Sequence, residues 1–393
     1  MMSRNEKIEV GRGALIQPLP FSEAEYHRRL AAVRAAMERQ GLDAFISFSP
    51  ENINWLTGHD TPAYHYLQAS VVTHDRPPVN LIRGIDASNT LARTWSRLAV
   101  RYADHQEPMD VLADLLHDLA GPAARIGAES DGFFVSPRRF DLLRRALGPR
   151  LIETQIVEPL RLVKSDEELA HIRAAAKMTV KAMNKAIASA AEGVNENHIA
   201  AEVWRTLVED GSEFPGLPPF IVSGPRTSLG HATWAGRTLQ KGDPLAFEIP
   251  GTLHRYVAPL FRCGTVGAPS AAARKLEIAV RSSLEVLIDG IRPGVVAEEL
   301  HQLSVANFRR HGYEVGHRSG YSVGVNYAPD WGEGNLFSIV DGERRNLVPG
   351  MVFHLVPGIY VPGEHVVVIS ETVAVTDTGC EVITSFPRDL FVV

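Results

Sequence analysis

The chain has 393 residues, of which 45% are hydrophobic and 22% charged, and its formal net charge is −6. These values are ordinary for a globular protein, and the acidic balance gives no reason to expect binding to nucleic acid or to an anionic membrane. No apolar run is long enough to cross a bilayer, and the first residues lack the apolar core of a signal peptide. Two cysteines, Cys263 and Cys380, are too few for a disulfide framework or a cysteine zinc site. The composition therefore predicts a cytoplasmic protein in a reducing environment.

The first part of the chain, residues 1–160, alternates predicted helices with apolar strands, which is typical of an α/β layer domain. An arm that runs to about Pro20 shows no clear pattern. Ser22 and Glu25 then form a capping box at the start of a helix that Gly41 is placed to end. Apolar strands and two further helices, over Met109–Leu119 and Pro137–Leu147, complete the predicted domain.

A turn-rich stretch in this domain, NINWLTGHDTPAYHYLQ over Asn52–Gln68, concentrates aromatic and polar side chains. It can be read as surface aromatics with a packing role, or as a recognition loop over a small polar ligand. The two interpretations stay open. In the second one, His59 and Tyr64 are the candidates to close a site.

The second part, residues 161–393, is predicted to be a separate α+β domain. A capping box at Ser165 and Glu168 begins a long amphipathic helix, and apolar residues recur along it at helical spacing. Helices are also predicted over Asn197–Glu209, Ala271–Ile288 and Ala297–His311, and the tail from residue 351 reads as strands. Helices that alternate with antiparallel hairpins give this fold class.

The centre of the second domain is Pro244–Cys263, PLAFEIPGTLHRYVAPLFRC, predicted as a hairpin that turns at Pro250–Gly251. One carboxylate, Glu248, lies within the first apolar run. A buried carboxylate loses its hydration and needs either a partner or a chemical role. Glu248 is therefore the first catalytic candidate.

A second candidate segment, SGPRTSLGHATW, contains His231 and Trp234. A histidine considered alone is more often structural than catalytic. His231, however, lies just before the Glu248 hairpin, and an imidazole can move a proton to or from nitrogen near neutral pH.

A third segment, SGYSVGVNYAPDWGEG, places Tyr321, Asp330, Trp331 and Glu333 in a glycine-rich stretch, and glycine allows the backbone to approach a ligand closely. The PDWG turn offers a structural explanation, but the density of polar and aromatic groups favours a ligand site. His354 lies inside an apolar strand and, taken alone, reads as a core histidine with satisfied hydrogen bonds.

From about Leu160 onward, the order of several segments resembles the creatinase/prolidase/methionine aminopeptidase family: KSDEEL before a long helix, SGPRTSLGH, GYSVG, PGMVFHLVPGIY and ISETVAVTDTG. The resemblance implies a C-terminal pita-bread domain with a curved antiparallel sheet, preceded by a creatinase-type α/β domain. It also implies a homodimer in which the N-terminal domain contributes to the neighbouring subunit's site.

Metallopeptidases of this family hold two metal ions with two Asp, one His and two Glu side chains. The corresponding positions here are Glu248, Pro259, Tyr321, Val356 and Ser370. Proline, valine and tyrosine cannot replace that set of ligands around a divalent ion. The resemblance therefore implies a site without metal or other cofactor, and it argues against ordinary peptidase activity.

The segments FEIPG, GYSVGVNYAPDWGE, FHLVPGIY, ISET and NINWLTGHD resemble the ectoine hydrolases, a metal-free branch of the family. This resemblance implies hydrolysis of a C–N bond in a small nitrogenous solute, namely opening of the cyclic amidine of ectoine to N-acetyl-2,4-diaminobutyrate. Glu248 would act as nucleophile or general base, and His231, which corresponds to the catalytic histidine of creatinase, would carry the proton.

Roles for the other candidates follow from the same resemblance. Asp330 and Glu333 would hold the cationic ring nitrogens, while Tyr321, Tyr256 and His354 would orient the ring by hydrogen bonds. Trp234 and Trp331 would form the walls, with a cation–π contribution, and His59 and Tyr64 would close the site. A creatinase, a hydrolase of another small guanidino compound, amidine or amide, and a pita-bread binding protein without catalysis remain alternatives.

Overall fold

The structure, a computed structural model, describes residues 8–393 and divides the chain into two compact units. Unit 1 ends at Arg161, and unit 2 comprises Leu162–Val393. Residues 1–7, which begin the arm and fall in the stretch predicted to lack a signal peptide, lie outside the described range. Within that range, no helix combines the length and the apolar character that a membrane span requires.

Unit 1 is built from helices around one mixed sheet. Its helices are α1 Glu23–Gln40, α2 Pro50–Thr57, α3 Ala87–Arg93, α4 Pro108–Ala120, α5 Pro137–Leu147 and α6 Val157–Arg161. Its strands are β1 Glu9–Val10, β2 Ala44–Ser47, β3 Ala69–Thr73, β4 Val79–Arg83, β5 Leu98–Tyr102, β6 Ile126–Ala128 and β7 Leu151–Glu153. The strands lie in the order β1-β5-β4-β3-β2-β6-β7, so the predicted α/β layer is confirmed.

Helix α1 begins and ends where its sequence predicts. The Ser22 side chain accepts a hydrogen bond from the Glu25 backbone N–H (3.1 Å). Gly41 takes the left-handed conformation after the last turn, with φ of 62°. Between these ends, the apolar stripe that includes Tyr26 and Val33 is buried.

The predicted loop Asn52–Gln68 is wrong for its first part, because α2 reaches Thr57. Ser49 caps this helix by accepting from the Asn52 N–H (3.4 Å), and Pro50 occupies the first turn, where its missing N–H costs nothing. Asn52 obscures the apolar pattern, yet it is fully buried. Its Nδ2 donates to both Glu129 (2.6 Å) and Glu158 (2.8 Å).

Unit 2 has its helices beside a larger, mainly antiparallel sheet. The helices are α7 Asp166–Ser189, α8 Glu196–Glu209, α9 Ala271–Gly290 and α10 Ala297–Arg310. The strands are β8 Phe220–Ser223, β9 Pro244–Leu253, β10 Tyr256–Thr265, β11 Gly320–Tyr327, β12 Asp330–Gly332, β13 Ser338–Ile339, β14 Val352–Leu355, β15 Gly358–Val361, β16 His365–Val368, β17 Glu371–Val375, β18 Cys380–Val382 and β19 Phe391–Val392.

The main sheet runs β18-β17-β14-β11-β10-β9-β8, with β12 and β13 on β11 and β19 on β10. Strands β15 and β16 form a separate hairpin. The capping box at Ser165 and Glu168 is present and begins α7, as predicted. The α+β class of this part is confirmed.

The central hairpin turns later than predicted. Strand β9 continues through Pro250–Gly251 to Leu253, and His254 and Arg255 make the turn with φ of 49° and 68°. Pro250 lies opposite Pro259, so the two residues that lack an N–H face each other and the pairing continues past them. A proline–glycine pair ends a strand only where hydrogen bonding to the neighbouring strand requires the backbone N–H that proline lacks.

The two faces of β9 have different surroundings. Gly251 lies against α7, since a Cβ there would come within 2.5 Å of both Ala175 O and Thr179 Oγ1. Phe247 shares this face and belongs to the same buried apolar cluster as Met183 of α7. Side chains alternate along a strand, so Glu248 projects from the opposite face.

Candidate functional site

Glu248 lies between two aromatic neighbours in the sheet, opposite Phe220 on β8 and Phe261 on β10. Its side chain is buried, and His354 Nδ1 lies 3.9 Å from its Oε1. Burial, followed by the negative charge of Asp330, raises the pKa of Glu248 to about 8, and Arg318 opposes this rise. A carboxyl with this pKa can exchange a proton near neutral pH, which a general base or a nucleophile requires.

Several other titratable groups interact with Glu248. They are Asp330, Arg318, Tyr321, His354, Cys263 and Tyr360, from five segments of unit 2. Burial raises the pKa of the Cys263 thiol to about 12, and burial also raises that of the Tyr360 phenol. Both groups therefore stay neutral near Glu248 at physiological pH.

A buried hydrogen-bond chain runs beside Glu248. Trp331 Nε1 donates to Tyr321 Oη (2.9 Å), Tyr321 Oη contacts His354 Nδ1 (2.9 Å), and His354 Nε2 contacts Ser370 Oγ (2.7 Å). The sheet sets this arrangement, because Tyr321 of β11 lies opposite His354 of β14. Burial, then the charges of Arg318 and Arg262, lowers the pKa of His354 to about 3, so its ring is neutral.

Arg318 is a site residue that the sequence predictions missed. Its guanidinium lies 4.1 Å from the centre of the Tyr321 ring and donates to Ser338 Oγ (3.3 Å). No carboxylate of the described residues forms an ion pair with it. Its position three residues before Tyr321, in HRSGYS, was the available signal. An arginine without an acidic partner beside a buried site is suited to bind an anionic group of a ligand.

Asp330 and Trp331 lie in the same cluster as Glu248, and their role as ligand contacts stays a prediction. Asp330 Oδ1 accepts from the backbone N–H groups of Trp331 (2.7 Å) and Gly332 (3.1 Å), which fixes the turn. The Trp331 ring lies against Phe220, with 5.1 Å between the ring centres. The predicted negative charge and aromatic wall are therefore both present around Glu248.

His231 is connected to this cluster through Phe220, whose ring it meets edge-on at 5.9 Å. It is exposed and adopts a left-handed conformation (φ 57°), which is uncommon for a residue other than glycine. Its loop is held by Glu196, whose Oε2 accepts from the Ala235 N–H (2.9 Å), and by Arg226, which donates to Thr233 O (2.6 Å). The structure thus presents the imidazole on a fixed loop, and its catalytic role stays a prediction.

Glu333 does not have the expected ligand-binding position. Its Oε2 accepts from Lys164 Nζ (2.6 Å) and from Ser322 Oγ (3.0 Å), and all three side chains are buried. A buried ion pair of this kind neutralises the carboxylate. Glu333 therefore attaches the segment after Trp331 to the start of unit 2.

Two other predicted contacts also lie elsewhere. Tyr256 is opposite Leu253, on the face of the sheet that contacts α7, and its hydroxyl donates to Glu168 Oε1 (2.7 Å). Trp234 packs against the apolar cluster that contains Phe247. The sequence motif could not show this, because the partners of both side chains, Glu168 of α7 and the apolar cluster, come from distant parts of the chain.

The two candidates in unit 1 have local roles. His59 is buried, and its Nδ1 contacts Thr90 Oγ1 (3.2 Å). Burial lowers its pKa to about 4. Tyr64 packs edge-on against Phe134, with 6.0 Å between the ring centres. Their part in closing a site stays a prediction.

Metal-binding side chains are not grouped in the described part of the chain. Across residues 8–393, no three His, Cys, Asp or Glu side chains come together in a way that could hold a metal ion. At the site itself, Tyr321 and Ser370 are engaged with His354. The donors around Glu248 are thus suited to hydrogen bonding of an organic ligand.

Comparison with known families places both parts of the chain. Residues 170–377 match the metallopeptidase family M24, and residues 29–163 match the creatinase/prolidase N-terminal domain. The first match includes the whole Glu248 cluster.

Similar proteins come from several branches. An ectoine hydrolase from Halomonas elongata is 29% identical over 95% of this chain and 98% of its own length. An uncharacterized hydrolase/peptidase from Sinorhizobium fredii is 30% identical over 95% and 99%. The crystal structure of a dipeptidase from Mycobacterium ulcerans superposes with a TM-score of 0.79 at 26% identity, over 95% of this chain and 99% of that one. This chain is thus a member of metallopeptidase family M24, in which a creatinase/prolidase N-terminal domain precedes a pita-bread domain.

Proposed function

We propose that this chain is a metal-independent hydrolase that opens the cyclic amidine ring of ectoine to N-acetyl-2,4-diaminobutyrate. The observation that carries the proposal is the environment of Glu248, a buried carboxyl among Asp330, Arg318 and neutral hydrogen-bonding groups. The similarity to an ectoine hydrolase over nearly the whole of both chains supports the choice of substrate.

The charges of the site suit a cationic amidine. The free site favours a protonated Glu248, because the carboxyl is buried and Asp330 adds negative charge. An amidinium ion bound between these two groups would favour the carboxylate form of Glu248. The bound cation would thereby favour the reactive carboxylate form of Glu248 next to the electrophilic amidinium carbon.

The proposed reaction adds one water to the ring. A carboxylate oxygen of Glu248 bonds to the amidinium carbon, and one ring C–N bond breaks as its nitrogen takes a proton. Water then attacks the same carbon, releases the Glu248 carboxylate and leaves its oxygen in the new amide. His231 would supply and recover the proton. In the alternative with Glu248 as general base, it removes the proton from the attacking water, and the products are the same.

Arg318 accounts for the other charge of the substrate. Ectoine carries a carboxylate as well as the amidine, and a planar guanidinium without an acidic partner is suited to bind it. A cationic end near Glu248 and Asp330 and an anionic end near Arg318 would orient the ring. Creatine, the substrate in the creatinase alternative, also carries a carboxylate, so the two substrates must be compared directly.

The test is a product analysis of purified protein with ectoine, 5-hydroxyectoine, creatine and Xaa-Pro dipeptides. Ectoine is expected to disappear with formation of N-acetyl-2,4-diaminobutyrate, and Glu248→Gln and His231→Ala should each lose turnover. Creatine as the preferred substrate would replace the ectoine assignment. Binding of a ligand without turnover in the wild type would favour the binding-protein alternative.

A peptidase is the main competing function, because the structural relative from Mycobacterium ulcerans is a dipeptidase. The side chains at the metal-ligand positions argue against it, since Pro259 and Val356 offer no side-chain donor. We also propose a cytoplasmic location and a homodimer, and light scattering of the purified protein tests the latter.

A further inference from the structure

The hydrogen-bond chain beside Glu248 has a fixed start. The backbone N–H of Phe261 donates to Ser370 Oγ (2.7 Å), and from there the chain passes through His354 to Tyr321. Ser370 and His354 are 0% exposed, and Tyr321 is 6% exposed. The Ser370 carbonyl also accepts from Arg262, which holds the strand end in place.

A neutral imidazole has one N–H, so this chain can have only two directions. In the first, the Ser370 hydroxyl donates to Nε2 and the Nδ1–H donates to Tyr321 Oη. In the second, Tyr321 donates to Nδ1 and the Nε2–H donates to Ser370 Oγ. The positions of the heavy atoms are the same in both cases.

The remaining donors distinguish the two directions. In the second direction, Ser370 Oγ receives two donors, and its own proton is left without an acceptor in the fully buried interior. An unsatisfied buried donor costs about 1–3 kcal/mol. In the first direction, Tyr321 Oη receives the Trp331 and His354 donors, and the only free proton is that of the Tyr321 hydroxyl, beside Glu248. The first direction is favoured, because its free proton lies in the Glu248 site, where the carboxyl or a ligand atom can accept it.

We propose that Ser370 and His354 are positioning residues that fix the Tyr321 hydroxyl as a hydrogen-bond donor into the Glu248 site. The donor is directed at an acceptor there, either a Glu248 oxygen or an atom of the bound ligand. Tyr321 stands at the metal-ligating position of the related metallopeptidases, and here it would provide a directed proton instead.

The direct test is the tautomer of His354, which ¹⁵N NMR of the histidine-labelled full chain can measure. The resonance can be assigned by its loss in His354→Gln. If that variant does not fold, the His354 signals are the neutral ones that remain after His59→Gln and His301→Gln remove those of the other buried histidines with a lowered pKa. The proposal predicts the Nδ1–H tautomer in the wild type. An Nε2–H tautomer would overturn it, whatever the substrate of the enzyme is.

A variant tests the direction independently. Ser370→Ala removes the donor to Nε2 and offers no acceptor for an Nε2–H, so His354 should keep the Nδ1–H form, while its Nε2 resonance shifts to that of a nitrogen that accepts no hydrogen bond. Ser370→Thr keeps a hydroxyl and should keep the wild-type tautomer. The matched control is Thr179→Val, because Thr179 Oγ1 also accepts from a strand N–H, that of Gly251 (2.8 Å), on the opposite face of the sheet. An Nε2 resonance that is unchanged in Ser370→Ala would contradict the proposal.

The kinetic test rests on the proposed function. Loss of one donor at a reacting centre lowers kcat on the order of 10²-fold, and Tyr321→Phe should show a loss of this size with ectoine. Ser370→Ala should lower kcat less, because it only weakens the positioning of the Tyr321 hydroxyl, and the double variant should be no slower than Tyr321→Phe, because Ser370 acts through that hydroxyl. Thr179→Val should keep wild-type kcat. Additive losses would overturn the proposal, whereas absent turnover in the wild type would refute the proposed function and leave the tautomer test standing.

Discussion

Glu248 is subject to opposing influences that set when it can react. Burial and Asp330 favour its neutral form, while Arg318 and any bound cation favour the carboxylate. The reacting form in the proposed mechanism is the carboxylate. The activity of the free enzyme should therefore depend on pH in the range where Glu248 ionises.

The expected pH profile has a rising limb. Because kcat/KM reports the free enzyme, its value with ectoine should increase as the pH approaches the Glu248 pKa of about 8, and level off above it. Steady-state kinetics in buffers of constant ionic strength measure this limb. A profile that is already flat from about pH 6 upward would contradict the assigned pKa.

The same ionisation should lower the stability of the folded chain as the pH rises. The pKa is higher in the folded state than in the unfolded chain, so stability is lost as the pH rises from about 4.3 through about 8. Relative to wild type, Glu248→Gln should thus gain about 4 kcal/mol in unfolding free energy between about pH 5 and pH 9. Urea unfolding measures the difference. Glu299→Gln, at an exposed site on α10, is the control. If the unfolding free energies of Glu248→Gln and wild type change in parallel with pH, the ionisation of Glu248 does not affect stability.

Arg318 should determine how tightly the substrate carboxylate is held. Arg318→Ala should raise KM for ectoine on the order of 10–100-fold, and Arg318→Lys should raise it less, because lysine keeps the charge but not the planar fork. Arg345→Ala is a matched control, since Arg345 also stacks on an aromatic ring, that of Phe337 (4.4 Å). Equal effects of Arg318→Ala and Arg345→Ala on KM would show that Arg318 acts through packing alone.

The sequence could identify Glu248 because a single carboxylate in an apolar strand is visible without tertiary information. It could not identify the role of Glu333, because the partner Lys164 lies 169 residues away in the chain. Tyr256 was misplaced for a similar reason, because its partner Glu168 lies 88 residues away in the chain.

At the scale of elements, the buried Lys164–Glu333 pair holds the end of the segment that carries Asp330 and Trp331. Both side chains are 1% exposed, and Ser322 completes the contact. Loss of one member of a buried pair leaves the other charge without compensation.

Lys164→Met and Glu333→Gln should each lower the unfolding free energy by about 3–5 kcal/mol, and Lys164→Met/Glu333→Leu should recover much of the loss. Equilibrium denaturation of wild type, the two single variants and the double variant gives the interaction free energy between the two side chains. Tyr256→Phe is a useful comparison, because it removes only one hydrogen bond to α7 and should cost about 1 kcal/mol. Additive effects of the Lys164 and Glu333 changes would contradict the pairing.

The helices of both units were the most predictable elements. Capping groups at Ser22 and Ser165, followed by apolar spacing, are local signals that the structure confirms within one or two residues. Helix α2 was missed because its buried polar side chains bond to distant residues such as Glu129, which no local pattern shows.

At the scale of the whole molecule, alternation of helices and strands predicted an α/β part followed by an α+β part. The family matches agree, with a creatinase/prolidase N-terminal domain and an M24 domain. Substrate choice was less accessible to sequence reasoning, because in the proposed function it depends on groups such as Arg318, which the sequence predictions missed. The central claim is that an M24 fold here hydrolyses a C–N bond with a carboxylate and an imidazole in place of two metal ions.

The most direct measurement is the rate of ectoine hydrolysis by protein dialysed against EDTA, with its metal content checked by mass spectrometry. The account predicts an undiminished rate, no increase on addition of Mn²⁺ or Co²⁺, and no turnover by Glu248→Gln under the same conditions. Activity that disappears with the metal and returns with Mn²⁺ or Co²⁺, on ectoine or on Xaa-Pro dipeptides, would contradict it.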